Sequence, residues 1–507
     1  MRVITSGRNL RRDVRAALAI PMLVVLLTGV TRLAPASAGD NSPGTATSDQ
    51  RTQADEEKID RLQREVDELR ARLRALEQSV AARPASAPAG GAEPPSGAAA
   101  APAGGAPPAT VEQDRKIGVL AEEVERIKSQ LVLPKAKEYK SLYGFGPAAS
   151  KVYQLDRGLS IGGYGEYNFQ KFVSDQRGKR DQFDALRFVL YTGYKFNEWI
   201  LFNSELEFEH AVIGEDTITA ESGEVALEFA ALDFLLWKPV NVRAGLLLVP
   251  MGFLNEIHEP PFYYGVLRPE VERRIIPTTW REGGVGIFGA LAPGLDYRAY
   301  LMNSLNAEGF ESNGIREARQ LGNRALADDL SGVVRVDYAP VPGAKLGGSL
   351  WIGDSGQGGT FAGSKPSAFT SIWETHAQLE YRGLWLRALG AFVSIDDADV
   401  LSEGLGETIA DDMFGFYAEA AYDLLPLVLS DTNQSFAPFF RYEIADTQDD
   451  VPNGLVRAPG NDLKIYQLGF SYKPHPQVVV KLDYRDFQNG NVNPKPDELN
   501  IGAGFVF

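Results

Sequence analysis

From residue 158 onward, apolar and polar side chains alternate with a period of two. Leu159, Ile161, Tyr167 and Phe169 interleave with Ser160, Glu166, Asn168 and Gln170. Further on, Ile200, Phe202, Leu206 and Phe208 interleave with Asn203, Glu205, Glu207 and Glu209. Alternation of this kind places the two sets on opposite faces of a β-strand. It predicts sixteen strands, at 158–172, 182–196, 199–210, 222–237, 240–249, 283–291, 295–303, 329–338, 344–352, 370–381, 384–394, 413–424, 435–445, 462–472, 477–487 and 498–507.

The period does not say which face meets water. A soluble sandwich turns its apolar face inward, whereas a membrane barrel turns it outward, against lipid. The connections favour the barrel. Short joints such as Asn197-Glu198, Lys238-Pro239, Pro293-Gly294 and Arg382-Gly383 alternate with longer loops rich in Gly, Asp and Asn. Short turns on one side and long loops on the other characterise outer-membrane barrels. The predicted fold is therefore all-β, a 16-stranded antiparallel transmembrane β-barrel over residues 141–507. An even strand count returns both ends to the periplasmic side.

One loop departs from the rest. Pro250 to Glu282 has neither strand nor helix periodicity, yet it lies between two alternating segments. Insertions of this length inside a compact domain are usually functional. It is expected to fold back into the barrel as a constriction loop, 250–282. Its charges are Arg268, Arg273, Arg274 and Arg281, mixed with Glu256, Glu259, Glu270, Glu272 and Glu282. Opposed patches of these charges would set up a field across a pore. On the strands, the polar phase places Arg187, Arg243, Arg298 and Arg335 in the lumen, with Glu205 and Glu207 facing the same way. Isolated pairs of this kind contribute only ~0–1 kcal/mol each when hydrated.

The N-terminal part reads differently. Residues 1–38 carry a basic start, an apolar run from Ala16 to Val30 and Ala36-Ser37-Ala38, the pattern of a signal peptide. Residues 39–134 form an arm with two heptad runs, Ile59 to Val80 and Ile117 to Leu131, joined by an Ala/Pro/Gly linker over 81–109. Heptads of this kind predict an N-terminal periplasmic coiled coil. Its role would be to space or tether the barrel relative to peptidoglycan, which makes a structural envelope protein the alternative reading.

Composition narrows the function classes. The net charge is −16, and loss of the leader's six Arg and one Asp takes it to −21. Such acidity argues against nucleic acid as a partner. With no cysteine, thiolate chemistry is excluded, and His210, His258, His376 and His475 show no metal-ligand spacing. No Ser-His-acid set can be assembled, so neither an enzyme nor a cofactor is expected.

Four stretches carry a family resemblance: SIGGYGEY at Ser160 to Tyr167, the Pro250 to Glu282 insertion, VVVKLDYRDF at Val478 to Phe487, and the terminal Phe507. Together they resemble the phosphate-selective porins O and P, over Ser141 to Phe507. The resemblance implies a sixteen-stranded, trimeric diffusion channel in the bacterial outer membrane. Its solutes would be small and hydrophilic, and could include anions such as phosphate. Members that select phosphate use a continuous arginine ladder and a lysine-rich narrow region. Here acids interleave with the arginines, and the insertion contains no lysine. The terminal Phe507 also resembles the signal read by the outer-membrane assembly machinery.

Overall fold

The computed structural model describes residues 140–173, 178–215, 222–430, 432–489 and 495–507. The expected signal peptide and the coiled-coil arm with its linker lie outside these residues. Sixteen strands form: β1 (Gly158–Phe172), β2 (Gln182–Lys195), β3 (Ile200–Glu215), β4 (Ser222–Trp237), β5 (Val240–Leu248), β6 (Arg281–Ala292), β7 (Leu295–Asn303) and β8 (Leu330–Tyr338), followed by β9 (Ala344–Gly353), β10 (Thr370–Tyr381), β11 (Leu384–Ile395), β12 (Asp412–Tyr422), β13 (Ser435–Asp450), β14 (Asp462–His475), β15 (Val478–Asn489) and β16 (Glu498–Val506). Each pairs antiparallel with its sequence neighbours, and β1 pairs with β16, so the sheet is a closed barrel.

Closure removes the unpaired edges that hydrocarbon would not tolerate. The seam is also sealed by side chains. The Phe505 and Phe507 rings lie where side chains at Gly165 and Gly163 would otherwise project. Phe507 and Gly163 exchange backbone hydrogen bonds of 2.8 and 3.0 Å.

The apolar phase faces outward. On β8, Val334 is 48% exposed, whereas its neighbour Arg335 is 4% exposed and lies on the inner face. Trp373 on β10 is 55% exposed, while Glu374 beside it is buried. Near the short turns Tyr194, Phe196, Trp199, Trp237, Tyr338 and Tyr381 add an exposed aromatic band, the girdle of a membrane interface. A soluble fold would bury these rows. Val334→Lys puts a charge halfway along a lipid-facing strand. It is expected to destabilise the barrel in vesicles by roughly 2–4 kcal/mol, read from a denaturant refolding titration. The same change at Val456, in an external loop, should leave the midpoint in place.

Most strand ends fall within two residues of the sequence expectation. The exceptions are β3, β13 and β14, which run on to Glu215, Asp450 and His475. Polar residues such as Thr447, Gln448 and Asp449 extend β13, where no alternation marks a strand. A helix, α1 (Ala398–Leu405), was also not signalled; it folds within the 395–412 loop and buries Leu401.

Alternation also gives no hint of residues 141–155. They enter the lumen at the short-turn end and finish in a 3-10 turn, Ala149–Gln154. Phe145, Ala148, Ala149, Val152 and Tyr153 pack there against inward-facing Tyr164, Val189, Tyr191, Leu201 and Phe229.

Candidate functional site: the inserted loop and its charged seat

The insertion folds into the barrel, between β5 and β6. Its apolar residues, among them Met251, Leu254, Val271, Ile275, Ile276 and Trp280, join wall residues such as Trp351, Tyr417 and Ile465 in one buried cluster. Two single turns of helix, at Pro260–Phe262 and Val271–Ile275, break what the sequence shows as an irregular run.

Polar contacts reach the wall all around the ring. The Tyr263 hydroxyl donates to Glu166 of β1 at 3.1 Å, and His258 Nε2 meets Glu205 of β3 at 3.2 Å. Glu256 pairs with Arg298 of β7. Arg335 of β8 donates to the Gly252 carbonyl. The Glu270 amide donates to Glu443 of β13 at 2.7 Å. On β15, Lys481 donates to the Gly265 carbonyl at 2.8 Å, and the Val266 amide donates to Asp483 at 2.6 Å. Many inward-facing charges therefore seat the loop instead of lining open water. Left without these partners, buried charges of this kind would be costly.

The expected site residues divide into three groups. Glu272 and Arg281 fix the loop. The Glu272 carboxylate accepts from the Phe253 and Leu254 amides at 2.9 and 2.6 Å and from the Tyr417 hydroxyl at 2.6 Å. Burial pushes its pKa up, and these donors pull the other way. Arg281 pairs with Glu228 of β4 at 2.6 Å. Glu259 is fully buried against Gly146 of the inner segment.

A second group belongs to the wall. Arg187 reaches Glu166 at 2.8 Å, Glu207 at 3.2 Å and Glu209 at 3.5 Å. Arg243 makes a two-armed pair with Asp233, both contacts at 2.8 Å. Arg298 and Arg335 share Asp337, which also faces His376 at 2.9 Å. His376 is held by Glu374 as well, at 2.6 Å.

The third group faces a vestibule of about 820 Å³ among β1, β2, β15, β16 and the loop. It is lined by Lys179, Arg180, Arg273, Arg274, Arg485 and Lys495, against Asp184, Glu270 and Glu498. Glu270 pairs with Arg273, Arg274, Arg485 and Lys495 at 2.8 to 3.5 Å. Burial alone would raise its pKa, but these cations hold it well below the usual carboxylate range. Cations outnumber acids around this opening.

No family profile matches the chain. An uncharacterised protein of Aquifex aeolicus (strain VF5) is 38% identical over 374 residues, which span 71% of this chain and 82% of that protein. The chain belongs to that protein's family. Similar solved structures include the Salmonella typhi OmpF complex with daunomycin, at 13% identity and TM-score 0.48, covering 69% of this chain and 98% of that one. The outer membrane channel DcaP of Acinetobacter baumannii gives 12% and 0.47, covering 69% and 98%. An anion-selective porin from Comamonas acidovorans gives 12% and 0.43, covering 69% and 100%.

Sequence reasoning missed two arginines on a neighbouring loop. Arg316 and Arg319 fold onto residues 277–279 of the insertion. Arg316 donates to the Thr278 carbonyl, and Arg319 donates to the carbonyls of Pro277, at 3.2 Å, and Thr279, at 2.5 Å. Carbonyls supply partial negative charge but do not neutralise a guanidinium. Burial, then the charges of Arg319, Arg273 and Arg268, pull the Arg316 pKa down to about 9. A guanidinium still keeps its proton near neutral pH, so Arg268, Arg273, Arg316 and Arg319 together outnumber the acids beside them, Glu317 and Glu282. Arg268 donates to the Thr279 hydroxyl at 3.1 Å. The only available signal was the repeated Arg in REARQ, at Arg316 to Gln320, inside a loop with no reason to be read as folded inward.

Proposed function

We propose that the protein is an outer-membrane diffusion channel for small hydrophilic solutes, with a preference for anions such as phosphate. The observation that carries this reading is a barrel turned inside out, with lipid-type side chains outside and, in its lumen, an inserted loop beside a vestibule lined by more cations than acids. Selectivity in such channels follows width and lining charge. Charged inward-facing groups keep contact with solvent on both sides of the loop. Arg273 and Arg274 do so in the vestibule, and Lys345, Glu380 and Lys473 do so towards the short turns. The guanidinium cluster at Arg268, Arg316 and Arg319 supports a preference for anions.

The channel acts as a homotrimer in the outer membrane, its N-terminal arm in the periplasm. Purified protein in a planar bilayer under a salt gradient is expected to give steps of conductance and a reversal potential of the sign that marks anion preference. A reversal potential near zero removes the preference. Absence of conductance from folded protein removes the channel.

A further inference from the structure

The geometry points to residues 141–155 as a built-in plug that shuts part of the short-turn mouth beside the inserted loop and must withdraw for full opening. The inference rests on the channel reading above.

The seat comes first. Inward-facing positions of β1 to β4 should be polar if water filled the lumen at this level. Instead Tyr164, Val189, Tyr191, Leu201 and Phe229 point inward and are buried. Their cover is supplied by Phe145, Ala148, Ala149, Val152 and Tyr153. An apolar patch on the wet side of a wall has a physical reason only when something apolar sits on it.

The segment also holds its own shape. The Ser150 hydroxyl accepts from the Leu142 amide at 2.9 Å and donates to the Phe145 carbonyl at 3.0 Å. The Ser150 amide bonds the Gly146 carbonyl at 2.9 Å. These bonds travel with the segment, so it can move as one body.

Its polar contacts with the wall are of a kind that can be given up. Asn203 donates to the Ala149 carbonyl at 3.0 Å, and Lys195 donates to the Leu155 carbonyl at 2.6 Å. Both donors can turn to water once the segment leaves. Arg243 donates to the Tyr143 carbonyl and the Tyr153 hydroxyl, and Tyr153 in turn donates to Asp233 at 2.6 Å, yet the two-armed Arg243–Asp233 pair is complete without the segment. The empty seat therefore strands no buried charge.

Finally, the plug and the loop fit each other. Gly144 lies against Glu256 and Arg298, and Gly146 against the Glu259 carboxylate. At neither glycine is there room for a side chain. Plug and loop are thus in direct contact inside the lumen.

The chain has no cysteine, so an introduced pair is unique. Val152 Cβ lies 2.7 Å from where a Cβ on Gly193 would stand. A small outward shift brings the two to the ~3.5–4.5 Å of a disulfide. In planar bilayers, full-length V152C/G193C is expected to show only a low-conductance state when oxidised. A state of several-fold higher conductance should appear on reduction. Val152→Asp, which puts a charge into the apolar seat, should favour the high state without any reductant. If oxidised, reduced and V152D proteins all conduct as the parent does, the plug is overturned and the channel stands. If no variant conducts although each is folded, the channel reading fails, and the plug fails with it.

Discussion

Replacing residues 253–278 with a short Gly-Ser link is expected to raise single-channel conductance several-fold. The ladder supports this excision. Strand β5 pairs with β6 without a break as far as Leu248 opposite Arg281, so the insertion hangs from the end of an intact hairpin. Closing that hairpin with a few residues leaves every wall hydrogen bond in place. What disappears is the apolar mass of Phe253 to Ile276 and the polar ties from Glu256, Glu270 and Glu272 to the ring. Arg298, Lys481 and Asp483 would then face water directly, as the inner wall of a wide channel does. Conductance equal to that of the parent, from a variant that still folds, would mean that solutes never pass the loop.

The second large effect concerns charge. The triple change Arg273→Gln, Arg316→Gln, Arg319→Gln removes three positive charges and keeps side chains able to donate to the carbonyls of residues 277–279. Anion preference is expected to fall several-fold, with the reversal potential under a salt gradient moving most of the way to zero. The sign follows from the local balance. Burial and the neighbouring arginines already push Arg316 below its ordinary pKa, so a passing anion relieves repulsion that a cation would worsen. A control at Arg335, whose charge is absorbed by Asp337 at 2.8 Å, should lower barrel stability and leave the preference nearly unchanged. Unaltered selectivity in the triple variant would place the filter elsewhere.

The wall was legible in the sequence because two solvents impose it. Lipid on one side and polar surroundings on the other force a period of two, so Ile200 to Glu209 could be assigned face by face. The hairpin turns at Lys238-Pro239 and Pro293-Gly294 fixed the joints. Where lipid no longer touches the strand, as at Thr447 to Asp450, the period fades and the boundary was lost. The lumen contents follow no period at all. Folding the insertion inward could be argued from its length, and Glu270 and Arg273 do meet at the vestibule. That Glu272 would bind backbone amides, or that Arg316 would reach across from another loop, depends on contacts between distant segments. The plug seat left a faint trace: in β2, Val189 and Tyr191 are as apolar as Phe188 and Leu190, so that strand has no clear wet side.

The seam between the first and last strands has a bearing on biogenesis. Until Leu499 to Phe507 are in place, β1 and β15 each expose a row of unpaired amides and carbonyls, and the glycines opposite the final two phenylalanines leave a furrow. Without β16 the sheet would be an open curl with two unpaired edges, which hydrocarbon does not tolerate. The wall is thus complete only when its last strand has docked on its first.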